Sequence, residues 1–207
     1  TLSDLEIKHT DKAGMLTYIK YPLKGKTEKY IVVATTRPET MLGDTAVAVH
    51  PKDKRYADLI GQTVILPLTG REIPILGDLA VEKDFGTGAV KITPAHDPLD
   101  FEIGQRHNLA KIEIINKFGK IISPAPEKYV GLKILEAREK IVADLKELGL
   151  VVKEEPFTHA VSVCYKCAQT IEPLILPQWF IKVKPLTEQT LKAVKAGKTK
   201  FVTKKFE

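Results

Sequence analysis

The chain has 207 residues, 43% of them hydrophobic, and a formal charge of +6 from 32 basic and 26 acidic residues. Such a chain can bury a core, and it excludes a membrane-spanning protein because no apolar run approaches the roughly 18 residues that a span needs. The moderate basic excess is as typical of a lysine-rich surface as of a protein that binds a polyanion.

Alternating apolar residues and turns that contain glycine or proline predict strands along most of the chain. The predicted strands are 15–21, 30–35, 45–49, 63–66, 88–93, 150–153, 158–163 and 179–183. A helix is predicted over 98–107, with Asp97 at its N-cap and Pro98 at its first position. Apolar spacings of three and four predict a longer helix over 132–148, and a short one follows over 186–196.

These elements predict an α+β fold with a strand-rich, curved or barrel-like core and helices outside it. We expect one domain over 1–207, with its core at 30–150 and a hairpin with return strands at 157–184. The chain begins at Thr1 and stops in mid-pattern after 198, so we interpret it as a segment of a longer, cytoplasmic and monomeric protein that has no membrane partner.

Polar residues converge where strand 88–93 leads into helix 98–107. Side chains alternate along a strand, so Lys91 and Thr93 share one face. Asp97 and Asp100 follow at the start of the helix, three residues apart. Such a corner can hold a small ligand with an ammonium group and a hydroxyl, because carboxylates pair with ammonium while the lysine and threonine contact the hydroxyl.

Structural interpretations of the same residues stay open. Asp97 is an ordinary N-cap, Asp100 suits the helix dipole and Lys91 can point into solvent. His96 is more typical of a hydrogen-bonded turn than of a metal site. Arg37, held extended before Pro38, suits either a substrate-binding rim or the exposed end of an edge strand.

The two cysteines, Cys164 and Cys167, are too close in sequence to staple a fold. Their spacing is half of a tetrahedral zinc site, for which His159 is a candidate third ligand and the fourth is missing from the chain. Structural zinc and a pair of reduced thiols on a hairpin both stay open. With no cysteine or serine triad indicated, the nucleophile of any hydrolysis is expected to be water.

Two long runs carry a family resemblance. Residues 33–51, with Arg37-Pro38-Glu39-Thr40, resemble the first signature of the editing insertion of valyl-tRNA synthetases, and 86–100, with His96-Asp97-Pro98-Leu99-Asp100, resemble the second. Residues 171–180 resemble the stretch by which that insertion returns to the class I catalytic core. Leucyl and isoleucyl enzymes carry sister insertions, but these versions are of the valyl type.

The resemblance implies post-transfer editing, which hydrolyses threonine from tRNA(Val) without a cofactor. It implies contact with the tRNA acceptor end and with the rest of an ATP-binding synthetase, whose own activation signatures this chain lacks. Asp100 matches the carboxylate expected to hold the substrate's ammonium group. The implied catalytic residues are Asp100, Asp97 and Thr40, and the implied substrate-binding residues are Arg37, Thr36, Phe85, Lys91, Thr93 and His96.

Other functions remain open at this point. One is a non-catalytic insertion that only grips tRNA, although paired carboxylates would repel phosphates. Another is the editing domain of an isoleucyl-type enzyme, which would remove valine and prefer an apolar pocket. The Cys164/Cys167 pair departs from many valyl enzymes, so no general role for metal follows from the resemblance.

Overall fold

The computed structural model describes residues 6–26, 28–177, 179–200, 202 and 205. They divide into two compact units, Thr1–Ile175 and Leu176–Glu207. The strands are β1 (Ile7–Pro22), β2 (Tyr30–Thr35), β3 (Ala46–Val49), β4 (Thr63–Ile65), β5 (Glu72–Gly77), β6 (Ala89–Ile92) and β7 (Val151–Cys164). The α-helices are α1 (Pro98–Arg106), α2 (Ile134–Glu147) and α3 (Val183–Lys195), and 3₁₀ helices lie at Pro38–Gly43, Ala57–Leu59 and Glu127–Tyr129.

The first sheet is antiparallel, in the order β2-β1-β7. β1 pairs with β7 from Ile7 opposite Cys164 to Ile19 opposite Val151. Residues 8–12 of this ribbon are exposed and polar, so only its inner end shows the apolar alternation of a half-buried strand. Long-range backbone pairing therefore extends β1 well before residue 15, where the sequence prediction began it.

The second sheet has the order β4-β5-β3-β6 and is covered on both faces. Val47 and Val49 of β3 belong to the larger apolar cluster, whereas Ala46 and Ala48 belong to a second, smaller one. Ile92 of β6 packs in that second cluster as well. Because both faces are buried, the strand that carries Lys91 lies between two cores, and its polar side chains need partners inside the protein.

The expected α+β class is confirmed, but the expected closure is not. The described strands form two separate sheets, and they do not make a closed barrel. The strand predicted over 179–183 is wrong, because residues 179–182 are irregular and Val183 begins α3. Pro185 is tolerated there because it falls in the first turn of the helix.

The helices predicted over 98–107, 132–148 and 186–196 are confirmed as α1, α2 and α3, with ends shifted by up to three residues. The buried face of α2 consists of Ala137, Ile141 and Leu145, whereas Leu135 is 66% exposed. None of the described helices is long and apolar enough to cross a membrane. The domain bounds expected from the sequence stay a prediction.

Truncation of Ile141 to alanine should lower the free energy of unfolding by about 2–5 kcal/mol, because the side chain is wholly buried and its removal leaves a cavity. Leu135→Ala, on the exposed face of the same helix, should change it by less than about 0.5 kcal/mol. Urea unfolding followed by circular dichroism measures both. Equal losses for the two variants would contradict the packing described for α2.

Candidate functional site

A cavity of about 350 Å³ opens where the end of β2, the middle of β6, the start of α1 and β7 meet. That volume lies in the range of sites for small molecules. The residues expected from the sequence to be catalytic or substrate-binding that line it are Thr36, Arg37, Thr40, Phe85, Lys91, His96, Asp97 and Asp100. Thr93 is the exception, since its side chain is wholly buried behind the wall and is not part of the lining.

The start of α1 supplies the acidic end of the cavity. Asp97 caps the helix, its Oδ1 accepting from the backbone N–H groups of Leu99 at 2.9 Å and Asp100 at 3.1 Å. Asp100 is 7% exposed, and its Oδ2 accepts from the backbone N–H of Thr93 at 2.8 Å. Asp97 therefore acts as a cap and also borders the cavity, so the two interpretations of this residue are compatible.

Asp100 has an unusual ionisation. Burial raises its pKa from the ordinary 3.8 to about 7, with Asp97 adding to the rise and Lys91 opposing it. A carboxyl group with a pKa near 7 in a cavity wall is typical of a functional site. The fold stabilises the charged form of this carboxyl group less than water would. A cation bound beside Asp100 would restore the charged form.

Lys91 supplies the opposite charge on the same cavity, and it does not point into solvent. Its Nζ donates to Thr93 Oγ1 at 2.5 Å and to Asp44 Oδ1 at 3.3 Å. Thr93 Oγ1 donates in turn to Asp44 Oδ1 at 2.5 Å. The predicted shared face of Lys91 and Thr93 is confirmed, but the Thr93 hydroxyl is spent on an internal carboxylate rather than presented to a ligand.

Asp44 is a residue of this site that the sequence reasoning missed. It follows the 3₁₀ helix Pro38–Gly43, is 0% exposed, and its Oδ2 accepts from Tyr21 Oη at 2.8 Å. Burial raises the pKa of Asp44, and the ammonium of Lys91 opposes that rise. Within residues 33–51 it reads as an ordinary turn residue, so the only signal available was a charged residue inside a strongly apolar stretch.

Arg37 borders the cavity as part of an ionic network. Its Nη1 donates to the backbone carbonyl of His96 at 3.1 Å, its Nη2 to Glu172, and its Nε to Glu39 at 3.3 Å. Glu39 is 0% exposed and accepts two hydrogen bonds from Arg138 of α2, at 2.8 and 2.9 Å. The exposed edge-strand interpretation of Arg37 is therefore wrong, because its guanidinium holds the wall of the cavity together.

Thr40 and His96 are both held by internal hydrogen bonds. Thr40 Oγ1 donates to the backbone carbonyl of Arg37 at 3.0 Å, so its hydroxyl can accept from a ligand but its proton is engaged. His96 Nε2 accepts from the backbone N–H of Ile114 at 2.9 Å. Burial lowers the pKa of His96 to about 4, so its ring is neutral at pH 7.

Aromatic rings form the opposite wall. Phe85 meets Phe157 edge to face at a centroid distance of 5.7 Å, and Phe157 lies parallel to His159 at 5.8 Å. Phe157 is paired across the sheet with Gly14, and a Cβ at Gly14 would lie 3.3 Å from the His159 ring. Of these rings only Phe85 was expected, because β7 reaches the cavity through pairing with a strand more than 140 residues away.

Cys164 and Cys167 form a turn at the end of β7, where backbone N–H groups of Cys167 and Lys166 lower the pKa of the Cys164 thiol. His159 lies five residues back along the strand, roughly 17 Å away at about 3.4 Å per residue, and packs against Phe157. No cluster of three or more metal-binding side chains occurs among the described residues. The described residues at this turn supply two thiols, whereas a structural zinc ion is normally held by four ligands, so the turn does not fit a complete tetrahedral zinc site.

The chain is similar in sequence to valine–tRNA ligases. It is 55% identical to the valine–tRNA ligase of Carboxydothermus hydrogenoformans over 100% of this chain, and 56% identical to that of Thermotoga maritima over 97%. The Geobacter sulfurreducens enzyme is 52% identical over 100% of the chain. In each case the chain spans 23% of the length of the relative.

A family model described as the editing domain of leucyl-tRNA synthetase matches residues 58–134. Among solved structures, the LeuRS of Agrobacterium radiobacter K84, in a ternary complex with tRNA and LeuAMS, aligns with a TM-score of 0.51 and 21% identity. The alignment covers 86% of this chain and 26% of that one. At that identity the likeness shows a shared fold and nothing finer.

Asp100→Asn should stabilise the protein above neutral pH. Since the folded state raises the pKa of Asp100 from 3.8 to about 7, the wild type loses stability as pH rises through that interval, by up to about 4 kcal/mol. The asparagine variant lacks this loss. Urea unfolding of both proteins at pH 5 and pH 8 should show the variant's advantage growing with pH, and an advantage equal at the two pH values would contradict the assigned ionisation.

Proposed function

Because the chain belongs to the valine–tRNA ligase family, in which it corresponds to the editing domain, we propose that it hydrolyses threonine wrongly esterified to tRNA(Val). The tRNA acceptor end and the remainder of a ligase chain are its proposed partners. The observation that carries the proposal is that a buried carboxyl group, Asp100, and a buried ammonium group, Lys91, line one cavity.

The two charges match the two polar groups of a threonyl ester. The α-ammonium of the ester pairs with Asp100, whose raised pKa falls again once a cation lies beside it. Asp97, at the exposed border, adds negative potential without a direct ion pair. The side-chain hydroxyl of threonine accepts from Lys91. Valine places a methyl group at that position and leaves the remaining N–H of the buried ammonium without an acceptor, which disfavours valine.

This preference for threonine over valine is the inverse of the preference of a valine-selective aminoacylation site. An apolar pocket cannot strongly reject an isostere that merely adds a hydroxyl, so threonine enters it. A second, polar cavity sorts the same two amino acids by hydrogen bonding. The isoleucyl-type alternative requires an apolar cavity that accepts valine, which the Lys91 and Asp100 pair opposes.

The proposed reaction uses water and no cofactor. A water oxygen attacks the ester carbonyl, the bond to the ribose oxygen breaks, and a proton passes from the water to that oxygen, which leaves free threonine and an intact tRNA end. The neighbouring ribose hydroxyl assists the transfer. The protein is proposed to position the ester, and His96 is unsuited to act as the base because its Nε2 already accepts a hydrogen bond.

Aromatic and apolar residues would hold the rest of the substrate. Phe85 is 44% exposed at the border of the cavity, beside Phe157. Exposed aromatic rings stack on nucleotide bases, at about 1–3 kcal/mol per base. The terminal adenosine of the tRNA therefore fits this wall, with its ribose directed at the charged corner.

The chain should hydrolyse threonyl-tRNA(Val) faster than valyl-tRNA(Val). Asp100→Ala should lower kcat/KM for the threonyl ester by about tenfold to a hundredfold or more, since a hydrogen bond to a charged group is lost. The assay follows release of labelled amino acid from each tRNA. Asp11→Ala, on the exposed part of β1, is the control and should match the wild type.

Each alternative has its own outcome in that assay. A chain that binds the tRNA but hydrolyses neither ester would be the non-catalytic grip. Faster loss of valine than of threonine would indicate editing of the isoleucyl type. Full activity in Asp100→Ala would remove the assigned ammonium contact while leaving the editing function in place.

A further inference from the structure

We propose that Asp44, which does not line the cavity, is the positioning residue that aims Lys91 at the substrate and thereby sets the preference for a hydroxylated side chain. The inference rests on the proposed function and deepens it. It assigns specificity to a wholly buried carboxylate behind the wall rather than to the lining residues alone.

Hydrogen bonds and close packing hold the backbone at Asp44 in place. Its N–H donates to the carbonyl of Met41 at 2.9 Å, and its own carbonyl accepts from Arg71 Nη2 at 2.9 Å. The preceding Gly43 packs so closely against the segment at Ile112 that a Cβ there would lie 2.9 Å from the carbonyl oxygen of Ile112. Asp44 therefore has little freedom to adjust, and its partners arrange themselves around it.

The carboxylate of Asp44 accepts hydrogen bonds on both oxygens. Oδ2 accepts from Tyr21, and Oδ1 accepts from Thr93 and Lys91. Lys91 is 7% exposed and needs a counter-charge, which the wholly buried Asp44 supplies at 3.3 Å. Without that carboxylate, the flexible lysine would lose the ion pair that defines its rotamer.

Lys91 keeps one hydrogen-bond donor for a ligand, and Thr93 keeps none. An ammonium group has three N–H donors, and Thr93 and Asp44 take two of those on Lys91. The third remains for a ligand in the cavity that Lys91 lines. Thr93 has one hydroxyl hydrogen and gives it to Asp44, so it has none for a ligand. Lys91 thus offers a single N–H, and the group that it recognises must accept a hydrogen bond, as a hydroxyl oxygen does.

Asp44→Asn tests this role because it keeps the shape and removes the charge. We expect the ratio of kcat/KM for threonyl-tRNA(Val) over valyl-tRNA(Val) to fall about tenfold or more, the effect of a misplaced charged hydrogen bond. The loss should come from the threonyl ester. A merely structural role would lower both rates together and leave the ratio unchanged.

Asp144→Asn is a matched control. Asp144 also holds a tyrosine and a lysine, accepting from Tyr129 Oη at 2.6 Å and pairing with Lys128 at 2.6 Å, but it lies outside the cavity. Its variant should keep the wild-type ratio. In the Lys91→Gln background, Asp44→Asn should change the ratio no further, because Asp44 acts only through Lys91. An additive loss, or an unchanged ratio in Asp44→Asn alone, overturns the proposal.

A binding measurement separates this inference from the hydrolytic function. Threonine and valine, each joined to adenosine through an amide, are probes that the chain cannot hydrolyse as esters. Calorimetry should show the wild type preferring the threonyl probe and Asp44→Asn losing that preference, whether or not the esters are hydrolysed. A wild type that binds both probes equally overturns the inference; preference without hydrolysis overturns only the proposed reaction.

Discussion

A charge removed from water must find its partners inside the protein, and the segment from Arg37 to Asp44 depends on that constraint. Glu39 is enclosed by two arginines, and Asp44 by a tyrosine, a threonine and a lysine. Apart from one arginine within the segment itself, these partners come from β1, from β6 and the residue after it, and from α2. The short 3₁₀ helix carries Glu39 and is followed directly by Asp44. It is therefore the point where β1, β6, α2 and the segment at Glu172 meet around one cavity.

Much of the cavity follows from local sequence, because its charged corner is built by neighbours. A strand followed at once by a capped helix places Lys91, Asp97 and Asp100 together, and both elements have strong local signals. Local sequence signals did not predict the parts of the fold that depend on pairing between strands far apart in the chain. The polar half of β1 has no apolar alternation, and Phe157 and His159 reach the cavity only because β7 runs beside β1. Residues 179–182 carried apolar β-formers without any strand to pair with among the described residues.

The sequence could not reveal which polar groups are spent on one another. Lys91 and Thr93 were expected to act alike, since they alternate onto one face. The structure separates them, because Asp44 takes the hydroxyl hydrogen of Thr93 and leaves a donor only on Lys91. Asp100 shows the cost of such a site. A carboxyl group whose pKa is near 7 is less stable charged in the fold than in water, which is the usual trade between stability and function.

The aromatic wall depends on a side chain that is missing. Gly14 lies across from Phe157, and His159 fills the room that a Cβ at Gly14 would need. An alanine there would place its Cβ 3.3 Å from the imidazole, so that ring would have to move by a few tenths of an ångström. A residue on the central strand of the sheet, which does not itself line the cavity, thus limits where the aromatic wall can lie.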